Sequence, residues 1–225
     1  MGIRSTFFAL TYDRQMAKTE EKGLRDLRRR LIAEASGQVL EIGGGTGANL
    51  PLYGKGVESL TVTEPEPAMI RRLERHAQER APHATVLRAP AEDLPFEDDS
   101  FDVAVSTLVL CGVSDQSRAL RQLTRVLRPG GRLLFLEHVR SGDAALARHQ
   151  DRLNWLNRLV VCCECNRPTL DSIRQAGLVV DHVEHLDFPN APSFVRPLVL
   201  GSARLPAAAV PGQDAATSVP GGVRD

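Results

Sequence analysis

Residues 39–50, VLEIGGGTGANL, set four glycines in five positions directly behind a short apolar run. Val39, Leu40, Glu41 and Ile42 read as a buried strand, opened after Gly37 and ended at Gly43. Glycine at a strand end reaches backbone angles closed to other residues and lets a ligand lie against the main chain. The stretch therefore predicts a strand-to-helix turn shaped around a bound molecule. Asn49, Leu50, Leu52 and Tyr53 can open the following helix, and Pro51 is tolerated only in its first turn. The free N–H groups of such a turn favour an electron-rich partner.

Two ligand classes fit this turn. Gly43-x-Gly45-x-x-Ala48 satisfies the dinucleotide pattern, whereas Gly43-x-Gly45-x-Gly47 matches the tighter turn associated with S-adenosylmethionine (SAM). The turn alone does not separate them. Both want an acidic residue roughly 20 positions further on, at the tip of a second strand, to take ribose hydroxyls. Glu64 follows the strand at residues 59–63 and meets that need. A competing use for its carboxylate is to favour the first turn of a helix at residues 66–78.

A chain of 225 residues with 42% apolar content is enough for one core, so a single domain is expected. Lys and Arg total 28 and so do Asp and Glu, which removes the basic excess that would point to nucleic acid. The local run Arg28-Arg29-Arg30 reads as the solvated face of a helix. No apolar run approaches the roughly 18 residues of a bilayer span, and the amino terminus shows no secretory signal pattern. A cytoplasmic protein, monomer or homodimer, without a transmembrane segment is expected. Cys162, Cys163 and Cys165 crowd into CCEC, which is not a secreted disulfide framework. Zinc is the sharper alternative, but paired C-x-x-C spacing is missing and no second pair follows, so no metal is expected.

Along the chain, residues 1–36 predict an amphipathic helix with Met16, Leu24, Leu27, Leu31 and Ile32 at helical spacing, a helical lid ahead of the sheet. Strands then alternate with helices: strands at 39–42, 60–63, 85–88, 103–107 and 132–136, with helices at 68–78 and 116–127 among them. That alternation argues an α/β fold, a Rossmann-like sheet of seven strands with helices on both faces. Ser114 and Asp115 are possible caps of the helix at 116–127, and RPGG turns the chain into the fifth strand. After helical stretches at 144–162 and 169–176, residues 178–186 and 195–203 alternate without a helix between them and predict an antiparallel edge hairpin. The domain is expected at 37–206. The final segment, 207–225, is small residues with Pro and Gly and is expected to be disordered.

The glycine turn, Glu64, AEDLPF, FDVAVSTLVL and LTRVLRPGGRLLFLEH stand in an order and spacing that resembles the class I SAM-dependent methyltransferases over about residues 10–205. The resemblance implies SAM as cofactor. It implies that Gly43, Gly45 and Gly47 pass beneath the methionine and ribose, with Glu41 orienting the turn or the amino group. It further implies that Glu64 takes the ribose hydroxyls, that Pro65 or Glu66 borders the adenine, that Glu92 or Asp93 meets its amino group, and that Thr107 and Leu108 sit beside the sulfonium. YDRQMAK, GTGAN, TLVLCGV, LRPGG, EHV, the CN of Cys165-Asn166 and FVRP are similar to the methyltransferase-like thiol S-methyltransferases. Those animal enzymes carry an amino-terminal membrane anchor, and none is expected in this sequence. Several of the same strings are shared with ubiquinone-type and phospholipid N-methyltransferases.

Methyl transfer from a sulfonium is an in-line displacement, so the protein chiefly aligns nucleophile, methyl group and leaving sulfur. A thiol is already partly ionised at neutral pH, whereas a hydroxyl wants a positioned base. His138, just past the fifth strand, is the candidate base. Cys111, His149, Trp155 and Phe194 are candidates for the acceptor side, and Tyr12 for a lid that excludes water from the cofactor. The expected activity is methylation of a small-molecule acceptor, a thiol in preference. The alternatives are O-, N- or C-methylation of a quinone, lipid headgroup or natural-product scaffold, an NAD-dependent enzyme, and a SAM-binding module without turnover.

Overall fold

The computed structural model of the protein describes residues 14, 16–161 and 163–207. Tyr12 and nearly all of the carboxyl-terminal segment lie outside the described residues. The frame is one seven-stranded sheet in the order β3-β2-β1-β4-β5-β7-β6. Its strands are β1 (Gly37–Ile42), β2 (Val57–Thr63), β3 (Thr85–Leu87), β4 (Phe101–Thr107), β5 (Leu127–His138), β6 (Val179–Asp187) and β7 (Pro197–Arg204). Five strands pair in parallel, β1 with β2 and β4, β2 with β3, and β4 with β5. β7 runs antiparallel to both β5 and β6, so the expected edge hairpin is present with its second strand inserted inward.

The helices are α1 (Arg25–Ile32), α2 (Pro67–Arg80), α3 (Gln116–Val126), α4 (Ala144–Val161) and α5 (Thr169–Gln175). A π-type turn at Glu20–Leu24, kinked at Gly23 with φ 125°, leads into α1. Pro67 opens α2, where its missing N–H is not needed, and the Asp115 carboxylate accepts from Arg118 N to cap α3. Both faces of the sheet are covered, and strand alternation sorts the core. Leu40, Ile42, Ala104, Leu133 and Phe135 pack with Leu120 and Leu123 of α3 and Ile173 of α5. Val39, Val103, Val105, Leu134 and Leu136 pack on the other face with Leu31 and Ile32 of α1 and Leu73 of α2. Each fully buried Leu or Ile contributes roughly 1.5–3 kcal/mol.

The structure corrects three expectations. The connection after the glycine turn is a single 3₁₀ turn, Leu50–Leu52, because Tyr53 is extended and Gly54 and Gly56 follow. β5 begins at Leu127, paired with Phe101, and runs through RPGG with a register shift instead of turning there. Arg28 is 3% exposed and does not belong to a solvated face. It lies four residues after Leu24 and three before Leu31, both fully buried, which puts it on the inward stripe of the helix. No helix among the described residues is long and apolar enough to cross a membrane.

Candidate active site

Strand order reverses between β1 and β4, and ligands of open parallel sheets lie beyond the carboxyl ends of the strands at such a point. A cleft of about 440 Å³ opens there, within the roughly 300–1,000 Å³ of small-molecule sites. It is lined by Gly43, Gly45, Glu64, Pro65, Glu92, Thr107 and Leu108 from the expected cofactor set, together with Met69, Ala91, Val109, Val113 and Ser114.

Gly43 and Gly45 both hold φ +58°. A Cβ on Gly43 would sit 2.6 Å from Val109, whereas one on Gly45 would meet nothing nearer than Met69 Sδ at 4.0 Å, so Gly45 faces open space. Gly47, at φ +90°, closes the turn against Leu50 and does not line the cleft. Glu64 bridges the turn to the next helix. Its Oε2 accepts from Gly45 N and its Oε1 from Glu66 N, each at 2.9 Å. Burial raises its carboxyl above the ordinary glutamate value, and those two backbone hydrogen bonds oppose the rise. The bond from Glu66 N is the helix-start role read from sequence, and the bond from Gly45 N ties the same carboxylate to the glycine turn.

Beneath the turn lies a polar knot whose anchor the sequence reading missed. Arg28 Nη1 donates to Thr107 Oγ1 at 2.8 Å and to Asn49 Oδ1 at 3.2 Å, while its Nε donates to Glu20. Asn49 Nδ2 in turn donates to Glu41 Oε1 and Thr107 Oγ1. Glu41 also accepts from Tyr53 OH at 2.7 Å. Burial pushes the Glu41 carboxyl up, against the Tyr53 and Asn49 hydrogen bonds and the Arg28 charge. Glu41 therefore orients the turn from below, outside the cleft.

Leu108 takes φ +62°, unusual for a side-chain-bearing residue, at the cleft floor. Two contacts fix it. Its N–H donates to Leu136 O at 2.8 Å, and Glu137 clamps the residues that follow. The Glu137 carboxylate accepts from Ser106 Oγ, Val109 N, Leu110 N and Cys111 N at 2.6–3.2 Å, while fully buried. Burial raises this carboxyl, and the four donors hold it back. A charged residue ending an apolar strand was the available signal for this role. On the opposite wall Glu92 accepts from Ser114 N, Ser114 Oγ and Asp115 N. Burial alone would raise its pKa, but these hydrogen bonds outweigh it and hold the carboxyl below the ordinary value. Asp93 is exposed and stands off the cleft.

The expected acceptor groups are elsewhere. Cys111 is buried behind the β4 loop, Trp155 is 65% exposed on α4, and His149 stacks on Phe194 with ring centroids 5.9 Å apart; none lines the cleft. Nor does His138. Alternation along β5 gives the β4 loop to Glu137, and the His138 ring packs against Phe188 at 4.6 Å, 5% exposed. Burial pushes its pKa down to about 4, against hydrogen bonding with the backbone of Pro197 and Val195. The cleft thus receives no base from this residue.

The family model for a methyltransferase domain matches residues 40–135, from β1 through the middle of β5. Over 205 residues the chain is 32% identical to the thiol S-methyltransferase TMT1A of Homo sapiens, covering 87% of this chain and 82% of that protein. It is 28% identical to a phosphatidylethanolamine N-methyltransferase of Cereibacter sphaeroides, over 74% of this chain and 86% of the relative. Among solved structures it resembles a SAM-dependent methyltransferase of Thermotoga maritima, described as a possible histamine N-methyltransferase, with a TM-score of 0.67. That likeness is at 25% identity over 91% of this chain and all of the other. Methyl donor and fold follow together: the chain belongs to the class I SAM-dependent methyltransferases.

Proposed function

We propose that the chain methylates the sulfur of a small thiol. The observation that carries this reading is the composition of the cleft. Among the described residues that line it, the ionisable groups are Glu64 and Glu92, and both are committed to backbone donors. A hydroxyl acceptor would need a base there; a thiol supplies its own thiolate fraction. Leu108, Val109, Val113 and Met69 give the wall an apolar character suited to a soft sulfur nucleophile. The extended similarity to a human thiol S-methyltransferase supports the same acceptor.

The residues fit SAM. Bare main chain at Gly45 faces the cleft, and the Glu64 carboxylate keeps lone pairs for ribose hydroxyls beside its two backbone bonds. In this reading Gly43 and Gly45 carry the methionine portion, Glu64 the ribose, and Pro65 and Glu92 the adenine end. Thr107, held by Arg28 and Asn49, lies with Leu108 beside the sulfonium. SAM supplies an electrophilic methyl group. The protein's part is to hold the acceptor sulfur in line with it and keep water out, while the thiol proton leaves to solvent.

The test is a panel of alkyl and aryl thiols, phenols, amines, quinols and phosphatidylethanolamine, incubated with SAM and read by product mass. Methylated thiols formed faster than all other products are expected. Turnover confined to an amine, a quinol carbon or an oxygen overturns the thiol assignment.

A further inference from the structure

The sequence reading expected no metal because CCEC lacks paired spacing, yet the fold assembles a donor set that the spacing does not reveal. His138 ends β5, Cys111 belongs to the loop after β4, and Cys163 and Cys165 lie between α4 and α5. A ring nitrogen of His138 and the sulfurs of Cys163 and Cys165 all fall within 4.8 Å of one another. The Cys111 thiol adjoins Cys163 as a hydrogen-bonding neighbour. All three cysteines are free, with Cys111 and Cys165 buried and Cys163 partly so.

Three features separate this cluster from a chance grouping of thiols. First, His138 Nδ1 is buried and has no hydrogen-bond partner among the described residues, and a buried nitrogen left orphaned is costly unless something binds it. Second, the Cys163 and Cys165 sulfurs stand 3.6 Å apart. That is far from the roughly 2.05 Å of a disulfide, and close to the edge of about 3.8 Å that metal–sulfur bonds of about 2.3 Å give a tetrahedron. Third, the cluster is framed as metal ligands usually are, by groups that fix their orientation. Asn157 Nδ2 donates to Cys165 Sγ at 2.8 Å and to Cys163 O. Gln150 Nε2 donates to Cys165 O and Val139 O, tying the cysteine loop to the end of β5. Arg167 donates to Leu110 O and Val113 O, and Glu164 N to Cys111 O, tying that loop to the one after β4. Thr169 Oγ1 donates to His138 O.

We propose that Cys163, Cys165 and His138 Nδ1 hold a Zn²⁺ ion, with the Cys111 thiol that adjoins Cys163 as the candidate fourth ligand, and that the metal fastens the α4–α5 loop to the ends of β4 and β5. Soft thiolates with one imidazole select zinc over magnesium or calcium. Binding releases the thiol protons to solvent and leaves the metal at its own oxidation state, so no redox partner is involved. The site lies outside the methyl-transfer cleft and does not depend on the identity of the acceptor.

The test uses the full chain, reduced with a non-chelating phosphine and stripped of metal. Cobalt(II) is titrated in as a spectroscopic substitute, and zinc is then added to displace it. One cobalt per chain, with thiolate-to-metal charge-transfer and tetrahedral ligand-field bands that zinc abolishes, is expected. Cys163→Ser and Cys165→Ser should each weaken binding by about 10-fold or more and reduce the charge-transfer intensity. Circular dichroism identifies any variant that fails to fold, in which case the wild-type titration decides. No charge-transfer band in the reduced wild type overturns the proposal. So does a band left unaltered in folded Cys163→Ser and Cys165→Ser. Loss of two titratable thiols in unreduced protein that binds no cobalt would mean a disulfide instead, which also overturns it.

Discussion

Replacing Glu64 by Gln perturbs the proposed cofactor site with little change of shape. The side chain is 5% exposed, and its two oxygens each accept one backbone N–H at 2.9 Å, from Gly45 and Glu66. An amide keeps one acceptor oxygen and turns an NH₂ toward the other donor. Toward ribose, two charge-assisted hydrogen bonds of about 1.5–3 kcal/mol become neutral ones of about 0.5–1.5 kcal/mol. A loss of about 1 kcal/mol per bond makes about 2 kcal/mol, or about a 30-fold rise in Kd. Glu64→Ala, which removes both acceptors, should raise Kd by about 100-fold. The stability of Glu64→Gln should change little, because relief of a buried charge offsets one poorly paired N–H. Isothermal titration with S-adenosylhomocysteine, which cannot turn over, measures the affinity, and thermal unfolding checks the fold. A Kd within about threefold of wild type for both variants would remove Glu64 from the ribose site and undo the reasoning built on it.

The same carboxylate makes affinity depend on pH. Its folded pKa lies above the ordinary 4.5, and the ionised form accepts from ribose. Affinity for S-adenosylhomocysteine should therefore be flat at neutral pH and fall on acidification through a midpoint above 4.5, a bend that Glu64→Gln should abolish; its persistence there would assign the titration to another group. The sign for stability is the reverse. The burial penalty on ionised Glu64 is absent below 4.5 and costs stability as pH rises through the folded pKa. Adjacent glycines should separate binding from folding. A Cβ on Gly44 would lie 2.3 Å from buried Val62, so Gly44→Ala should chiefly lower Tm, whereas Gly45→Ala carries only left-handed strain of about 1–2 kcal/mol yet should weaken SAM binding about 10-fold. Equal effects of the two on affinity would count against a ligand lying on Gly45. Arg28→Met keeps the stem but strips donors from Thr107, Asn49 and Glu20. A destabilisation of about 1.5–3 kcal/mol, near 3–12 °C in Tm, is expected, and an unchanged Tm would show that the knot is dispensable.

What the sequence disclosed and what it withheld divide along sequence distance. β1, its glycine turn and Glu64 were legible because strand, turn and carboxylate fall within one crossover. The antiparallel hairpin was legible because no helical period separates β6 from β7. Arg28 was misread because charge outweighed its place on the helical stripe with Leu24 and Leu31, and its partner Thr107 comes from a distant strand. His138 was read as facing the cleft because its position at a strand end was visible but its side was not. Glu137, one residue earlier, proved to be the clamp of the cleft floor. Trp155 was expected on the acceptor side, yet it projects from α4, whose sequence has only a weak apolar stripe. The histidine–cysteine cluster draws one donor from after β4 and another from the end of β5, a grouping no linear spacing can announce.

The inward insertion of β7 has a consequence for how the molecule is made. Leu133, Phe135 and Glu137 of β5 find their second neighbour only in Ala203, Gly201 and Val199, near the end of the described chain. During synthesis on the ribosome, β5 must wait with an open flank until this last strand emerges, exposed to pairing with other nascent chains. Shortening the chain before Pro197 would not trim a margin. It would split the sheet and strand β6 from the rest of the molecule.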